Sequence, residues 1–210
     1  MSPKGNWALI GGDPDNGGKL AGLTMANLEL TQFHRLDYAT AHADVGLDSE
    51  GNEVVVMQNS LTDYIDLIPL DLKTKPILES GGSYKGTNRT CLLRLNYNSE
   101  LSIGLNSGVH ISCNFPGYCV ISTHIEPGVP EQNWLDRTIV LVKLDSKDPQ
   151  VFYLAKLYNT TKEYWEETHA TITNDGSKVI WASDWGTNVG KEQVFVMQLD
   201  MPDNWTKLID

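Results

Sequence analysis

Residues 169–186 read HATITNDGSKVIWASDWG: a histidine, an alternating polar and apolar run, an Asn-Asp-Gly turn, then a nearly continuous apolar stretch. An Asn-Asp-Gly turn between two such runs predicts a β-hairpin in which the glycine supplies a positive φ. The leading histidine could be a chemical group in a site or a peg that holds one strand in place. One copy does not distinguish these, so recurrence of the pattern is the informative test.

The pattern does recur. SPKGNWALI (Ser2 to Ile10), DSEGNEVVVMQ (Asp48 to Gln58), CNFPGYCVIST (Cys113 to Thr123) and TNDGSKVIWAS (Thr173 to Ser183) each place a turn glycine, Gly5, Gly51, Gly117 or Gly176, before an apolar strand rich in β-branched and aromatic residues. Behind it comes a second shared element. YIDLIPLD (Tyr64 to Asp71), TIVLVKLD (Thr138 to Asp145) and QVFVMQLD (Gln193 to Asp200) align without a gap, each ending in Leu-Asp. KPILES follows the first of these and VFYLAKLY the second, as a further apolar segment.

A four-stranded antiparallel unit repeated at this length predicts an all-β fold of β-propeller blades. Unbroken apolar runs fit, because a blade packs against a neighbour on both faces and its middle strands have no wet side. A β-sandwich with irregular loops is the alternative, but it does not require gap-free repeats. The expected blades are residues 1–38, 39–106, 107–165 and 166–210, about three to four in all. The first starts at the hairpin between its first two strands, and NWTKLID at the end reads as the start of an outer strand. On this reading the chain is part of a larger propeller, completed by remaining blades or by a second chain.

Composition narrows the function. With 16 basic against 27 acidic residues the net charge is -11, scattered along the chain. That disfavours a nucleic acid or an anionic membrane surface as partner. No apolar run approaches the length of a membrane span, and Met1-Ser-Pro-Lys-Gly is not a secretory leader. Cys113 and Cys119 flank the turn NFPGY, within disulfide reach if that segment is a hairpin, while Cys91 is left over. A bridge would point to an extracytoplasmic, periplasmic or secreted, location.

Three copies carry a histidine ahead of the first strand: His42, His110 and His169. In a propeller the first strand of each blade lines the central channel, so the three converge on one mouth. Two residues on, on the same side of each strand, come Asp44, Ser112 and Thr171. Loops on that face add Glu166, Glu167, His124, Glu126, Asp184 and Trp185, with Trp165 as further stacking surface; Trp181 is mid-strand and reads as core. Imidazoles and carboxylates in one pocket can hold a divalent metal, abstract a proton or bind a small polar ligand. The competing reading is that a histidine repeated in every copy serves architecture. His34 lies outside the repeat and reads as surface.

HADVGLDSEGNEVVV, HISCNFPGYCVIST and THATITNDGSKVIWASDWG resemble the later blades of secreted bacterial propeller proteins. More distantly they are similar to oligogalacturonate lyases and to the periplasmic propeller of the Tol system. The lyase resemblance implies a divalent cation at the channel, for which His42, His110 and His169 are the matching positions. The sequence departs from that family in having no His-x-His pair and no arginine cluster to neutralise a polyuronate. The expected function is therefore a propeller that binds a small molecule, such as a carbohydrate, or a partner at its mouth. The alternatives are a metal-dependent polysaccharide lyase and a structural or protein-interaction propeller.

Overall fold

The computed structural model describes residues 1–38, 40–59, 64–77, 87–95, 107–125, 134–159, 167–185 and 195–209. Their regular structure is β throughout, apart from 3₁₀ turns at Pro14–Asn16 and Trp205–Leu208. Four antiparallel sheets follow in chain order, each with its strands in sequence order. The first holds β1 (Trp7–Gly12), β2 (Gly22–Asn27) and β3 (Phe33–Asp37); the second holds β4 (Ala43–Leu47), β5 (Glu53–Asn59), β6 (Tyr64–Pro69) and β7 (Thr90–Arg94). The third holds β8 (Ser107–Ser112), β9 (Tyr118–Ile125), β10 (Thr138–Lys143) and β11 (Val151–Lys156); the fourth holds β12 (Thr171–Ile172), β13 (Lys178–Ser183) and β14 (Phe195–Asp200). The sheets are propeller blades. The turn glycines behave as their sequence context requires, with φ of 73, 81, 82 and 68° at Gly5, Gly51, Gly117 and Gly176.

Side-chain alternation on the middle strands explains the unbroken apolar runs. Val55 and Met57 of β5 meet Leu23, Met25 and Leu36 of the first sheet, whereas Val54 and Val56 meet Cys113, Cys119 and Ile121 of the third. One blade on, Cys119, Val140 and Val142 look back at the second sheet, and Tyr118, Val120, Ile139 and Leu141 look forward to Ile172 and Val179 of the fourth. Both faces of each middle sheet are thus core, and the sheets stack face to face in chain order.

One device recurs that the sequence repeats did not reveal. In each blade whose outer strand is described, the pairing of the third strand with the outer strand slips by one residue. The extra residue on the outer strand is a leucine each time: Leu36 between Arg35 and Asp37, Leu92 between Cys91 and Leu93, Leu154 between Tyr153 and Ala155. A bulge there raises the local twist, and each leucine packs into an inter-blade core.

Three expectations need correction. The outer strand of the second blade is Thr90–Arg94 and not KPILES, whose described residues 75–77 lie in no strand. There the buried Ile77 hydrogen-bonds Leu36 O of the first blade, so the segment is apolar because it fills an interface. NWTKLID does not start a strand either. It forms the second 3₁₀ turn, with Trp205 buried on the rings of Tyr118 and Phe115, and with its indole N–H donating to Gly176 O at 2.9 Å. His34 is half-buried on β3, its Nε2 2.6 Å from Thr74 O.

Polar contacts reinforce the blade interfaces. Arg89 reaches from the approach to β7 into the first interface, its guanidinium 2.5 Å from the Asp37 carboxylate and 2.9 Å from Leu36 O, with Asp66 at 3.8 Å. Glu53 accepts from the Lys4 backbone N–H and the Asn6 amide. Burial works to raise its carboxyl, but hydrogen bonds from Ser2, Asn6 and Lys4 outweigh this and hold it below the usual range.

Cys113 and Cys119 are joined by a disulfide across their hairpin, and Cys91 is a free thiol. The hairpin lies on Gly46 of β4, where a Cβ would stand 2.7 Å from that of Cys113. Closing so short a loop is worth about 2 kcal/mol by the chain-entropy account. Reduction of a Cys91→Ala variant should therefore lower its unfolding free energy by about that amount in a denaturant titration. An unchanged midpoint would show that the bridge contributes nothing.

Candidate functional site

The three repeated histidines meet. His42 immediately precedes β4, His110 sits within β8, and His169 lies two residues before β12. The ring of His110 is central: His169 stacks on it with centroids 3.6 Å apart, and His42 meets it edge-on at 4.9 Å. His169 has φ +45°, a left-handed backbone unusual for a side-chain-bearing residue.

The pegs that hold blade to blade are the residues two positions further on. Asp44 accepts from the Cys113 N–H at 2.8 Å, joining the inner strand of the second blade to the end of that of the third. Ser112 repeats the contact one blade later, with its Oγ 2.9 Å from Thr171 Oγ1 and accepting from the Ile172 N–H at 3.4 Å. Asn114 adds bonds to Ser112, Thr171 and Ile172 O. The imidazoles of the repeat lie beside these contacts at the mouth. There a cleft of about 340 Å³ runs along the three inner strands, walled by His42 and Asp44, His110 and Ser112, His169 and Thr171, with Asn114 beside them.

Behind this wall lies a second group. His124, on β9, is paired opposite Gly108, and His110 opposite Ser122, so the two imidazoles are diagonal neighbours on one face of the ladder. Glu167, leading into the fourth blade, spans them: Oε2 is 2.5 Å from Nε2 of His110, and Oε1 is 3.3 Å from Nε2 of His124. All three side chains are nearly buried, at 10, 8 and 12% exposure for His110, His124 and Glu167. Burial first, then His169 and His42, push His110 down to about 3. His124 is also lowered, chiefly by burial, with Glu167 opposing and the other histidines adding. Nε2 of His110 is hydrogen-bonded to the Glu167 carboxylate, and Nδ1 of His124 is buried without a hydrogen-bond partner.

The expected site residues therefore separate. His42, Asp44, His110 and His169 line the cleft, while His124 and Glu167 join His110 behind it. Trp185 is exposed, faces the Tyr158 ring at 6.0 Å, and lies outside the cleft wall, as does Asp184. Trp181 packs partly buried against the third interface. Glu166, Glu126 and Trp165 fall outside the described residues. Asn114 was not singled out from sequence; its position two residues after Ser112 was the available signal.

No protein-family model matches the chain, and no curated protein sequence is significantly similar to it. Among solved structures it is similar to a chain of Kuenenia stuttgartiensis hydrazine synthase, with 13% identity and a TM-score of 0.50, over 100% of this chain and 53% of that one. The Dos1 propeller also matches, with 14% identity and a TM-score of 0.31, over 86% of this chain and 53% of that one. The chain spans about half the length of each of these two proteins. At such identity the likeness concerns fold alone.

Proposed function

We propose that the protein is a propeller module whose inner-strand cleft binds a small, uncharged, hydroxyl-rich ligand such as a saccharide. The observation that carries this reading is the cleft itself. Its volume of about 340 Å³ lies at the small end of the range for ligand sites, and its wall is built of imidazole, hydroxyl, amide and carboxylate groups. The wall has no lysine or arginine among the described residues. A polyuronate would meet no cationic side chain there, so without a bound cation the wall favours a neutral sugar over the substrate of an oligogalacturonate-type lyase. The Cys113–Cys119 bridge supports an extracytoplasmic setting. The four blades would be part of a larger ring, completed by further blades or a second chain.

Saturation-transfer NMR with a panel of neutral mono- and disaccharides, and of the matching uronic acids, tests the reading. At least one neutral sugar should give transfer that His42→Ala weakens about tenfold, the worth of one good contact. Transfer from uronic acids alone would favour the lyase reading, and transfer from none would remove the ligand-binding one.

A further inference from the structure

The geometry points to a binding site for one divalent transition-metal cation formed by His110, His124 and Glu167, set behind the cleft wall with His110 shared between the two. It deepens the reading given above, because the cation would supply the cleft with an oxygen-seeking centre.

Two observations carry it. The first is convergence: two imidazoles from adjacent strands of one blade and a carboxylate from the lead-in to the next present donor atoms all within 4.8 Å of one another. Donors this close can share one ion with bonds of about 2.0–2.2 Å after small adjustments.

The second is charge. Glu167 is nearly buried, faces two imidazoles and has no lysine or arginine partner among the described residues. Buried carboxylates are stable when paired with a cation or when they coordinate a metal. A divalent ion shared with the two imidazoles would provide this.

Two imidazoles and one carboxylate favour the zinc, manganese and iron class over calcium or magnesium, which take oxygen ligands. Three protein ligands leave at least one position for an outside donor. Because His110 also lines the cleft, an ion on its Nε2 would lie one side chain from a cleft ligand. His42 and His169 touch His110 ring to ring and act on its orientation; the ligand set takes only His110 from the repeated histidines.

The test is titration of chelator-stripped, full-length protein with Zn²⁺ by calorimetry, and with Co²⁺ by visible absorption. One equivalent should bind. Glu167→Gln and His124→Ala should each weaken binding by at least about 100-fold, beyond the usual effect of groups that only support a ligand. His34→Ala, outside the cluster, should bind as the parent does. Glu167→Gln also reports on folding: in the metal-free state it should melt no lower than the parent, because it removes an unneutralised buried charge. Absence of stoichiometric binding, or binding by Glu167→Gln equal to the parent, overturns the proposal. The saccharide panel repeated on metal-free protein separates the two readings. Sugar binding without metal binding leaves the cleft and removes the cation site, and metal binding without sugar binding does the reverse.

Discussion

Replacing Arg89 with alanine is expected to lower the unfolding free energy by about 3–5 kcal/mol, the usual consequence of removing one partner from a buried ion pair. The guanidinium is fully buried, and so are the Asp37 and Asp66 carboxylates it lies between. Without it two acidic groups of adjacent blades are left in one apolar interface, and Leu36 O keeps only the longer bond from the Ile77 N–H. The pair is not itself evidence of net stabilisation, because desolvating three charges offsets much of their attraction. That distinction is measurable. Arg89→Met combined with Asp37→Leu should recover part of the loss seen in Arg89→Ala, because the apolar pair removes charge and refills the space. An Arg89→Ala variant within about 0.5 kcal/mol of the parent, as for an ordinary surface change, would contradict the account of the first interface.

The second large effect is expected at Trp205. Its truncation to alanine should cost about 3–5 kcal/mol, as for other large buried aromatics. The side chain fills the space between Tyr118 of the third blade and the Gly176 turn of the fourth, with its N–H satisfied by the Gly176 carbonyl. Gly176 itself has no room for a Cβ, which would lie 2.7 Å from the Phe115 ring. Trp205→Phe keeps the aromatic stack and loses the hydrogen bond, so it should cost only part of the alanine loss. Thermal and denaturant unfolding of the two variants gives the comparison. If Trp205→Ala is as stable as Trp205→Phe, the ring is not part of the third interface.

What the sequence made legible is what repeats. The turn glycines and the Leu-Asp strands recur because each blade needs the same positive φ and the same two-sided core, so the inner three strands of the blades could be aligned by eye. The bulge leucines recur too, yet they escaped because their neighbours differ: Arg35-Leu36-Asp37, Cys91-Leu92-Leu93 and Tyr153-Leu154-Ala155 share only the leucine. Arg89 and Trp205 were invisible for a different reason. Each acts once, through contacts distant in sequence, and leaves no local period. KPILES and NWTKLID misled because burial against a neighbouring blade makes an irregular segment look like a strand.

The candidate site shows the same division. Topology alone brings His42, His110 and His169 to one mouth. It did not say that Asp44 and Ser112 would carry hydrogen bonds from one blade to the next. Nor could it select Glu167 from the polar residues of the loops, or show that His124, expected in a loop, lies within β9. That choice depends on which diagonal of the β8–β9 ladder faces the fourth blade, and on where the lead-in to β12 sets Glu167 down.

The most direct test of the central claim, that three blades converge their histidines on a cation-centred cleft, is a crystal structure of the zinc-soaked protein with data collected at the zinc absorption edge. The account predicts one strong anomalous peak within about 2.0–2.2 Å of His110, His124 and Glu167 donor atoms, with the His42 and His169 rings against His110. Histidines dispersed on separate surfaces, or a peak at other residues with none at this cluster, would contradict it.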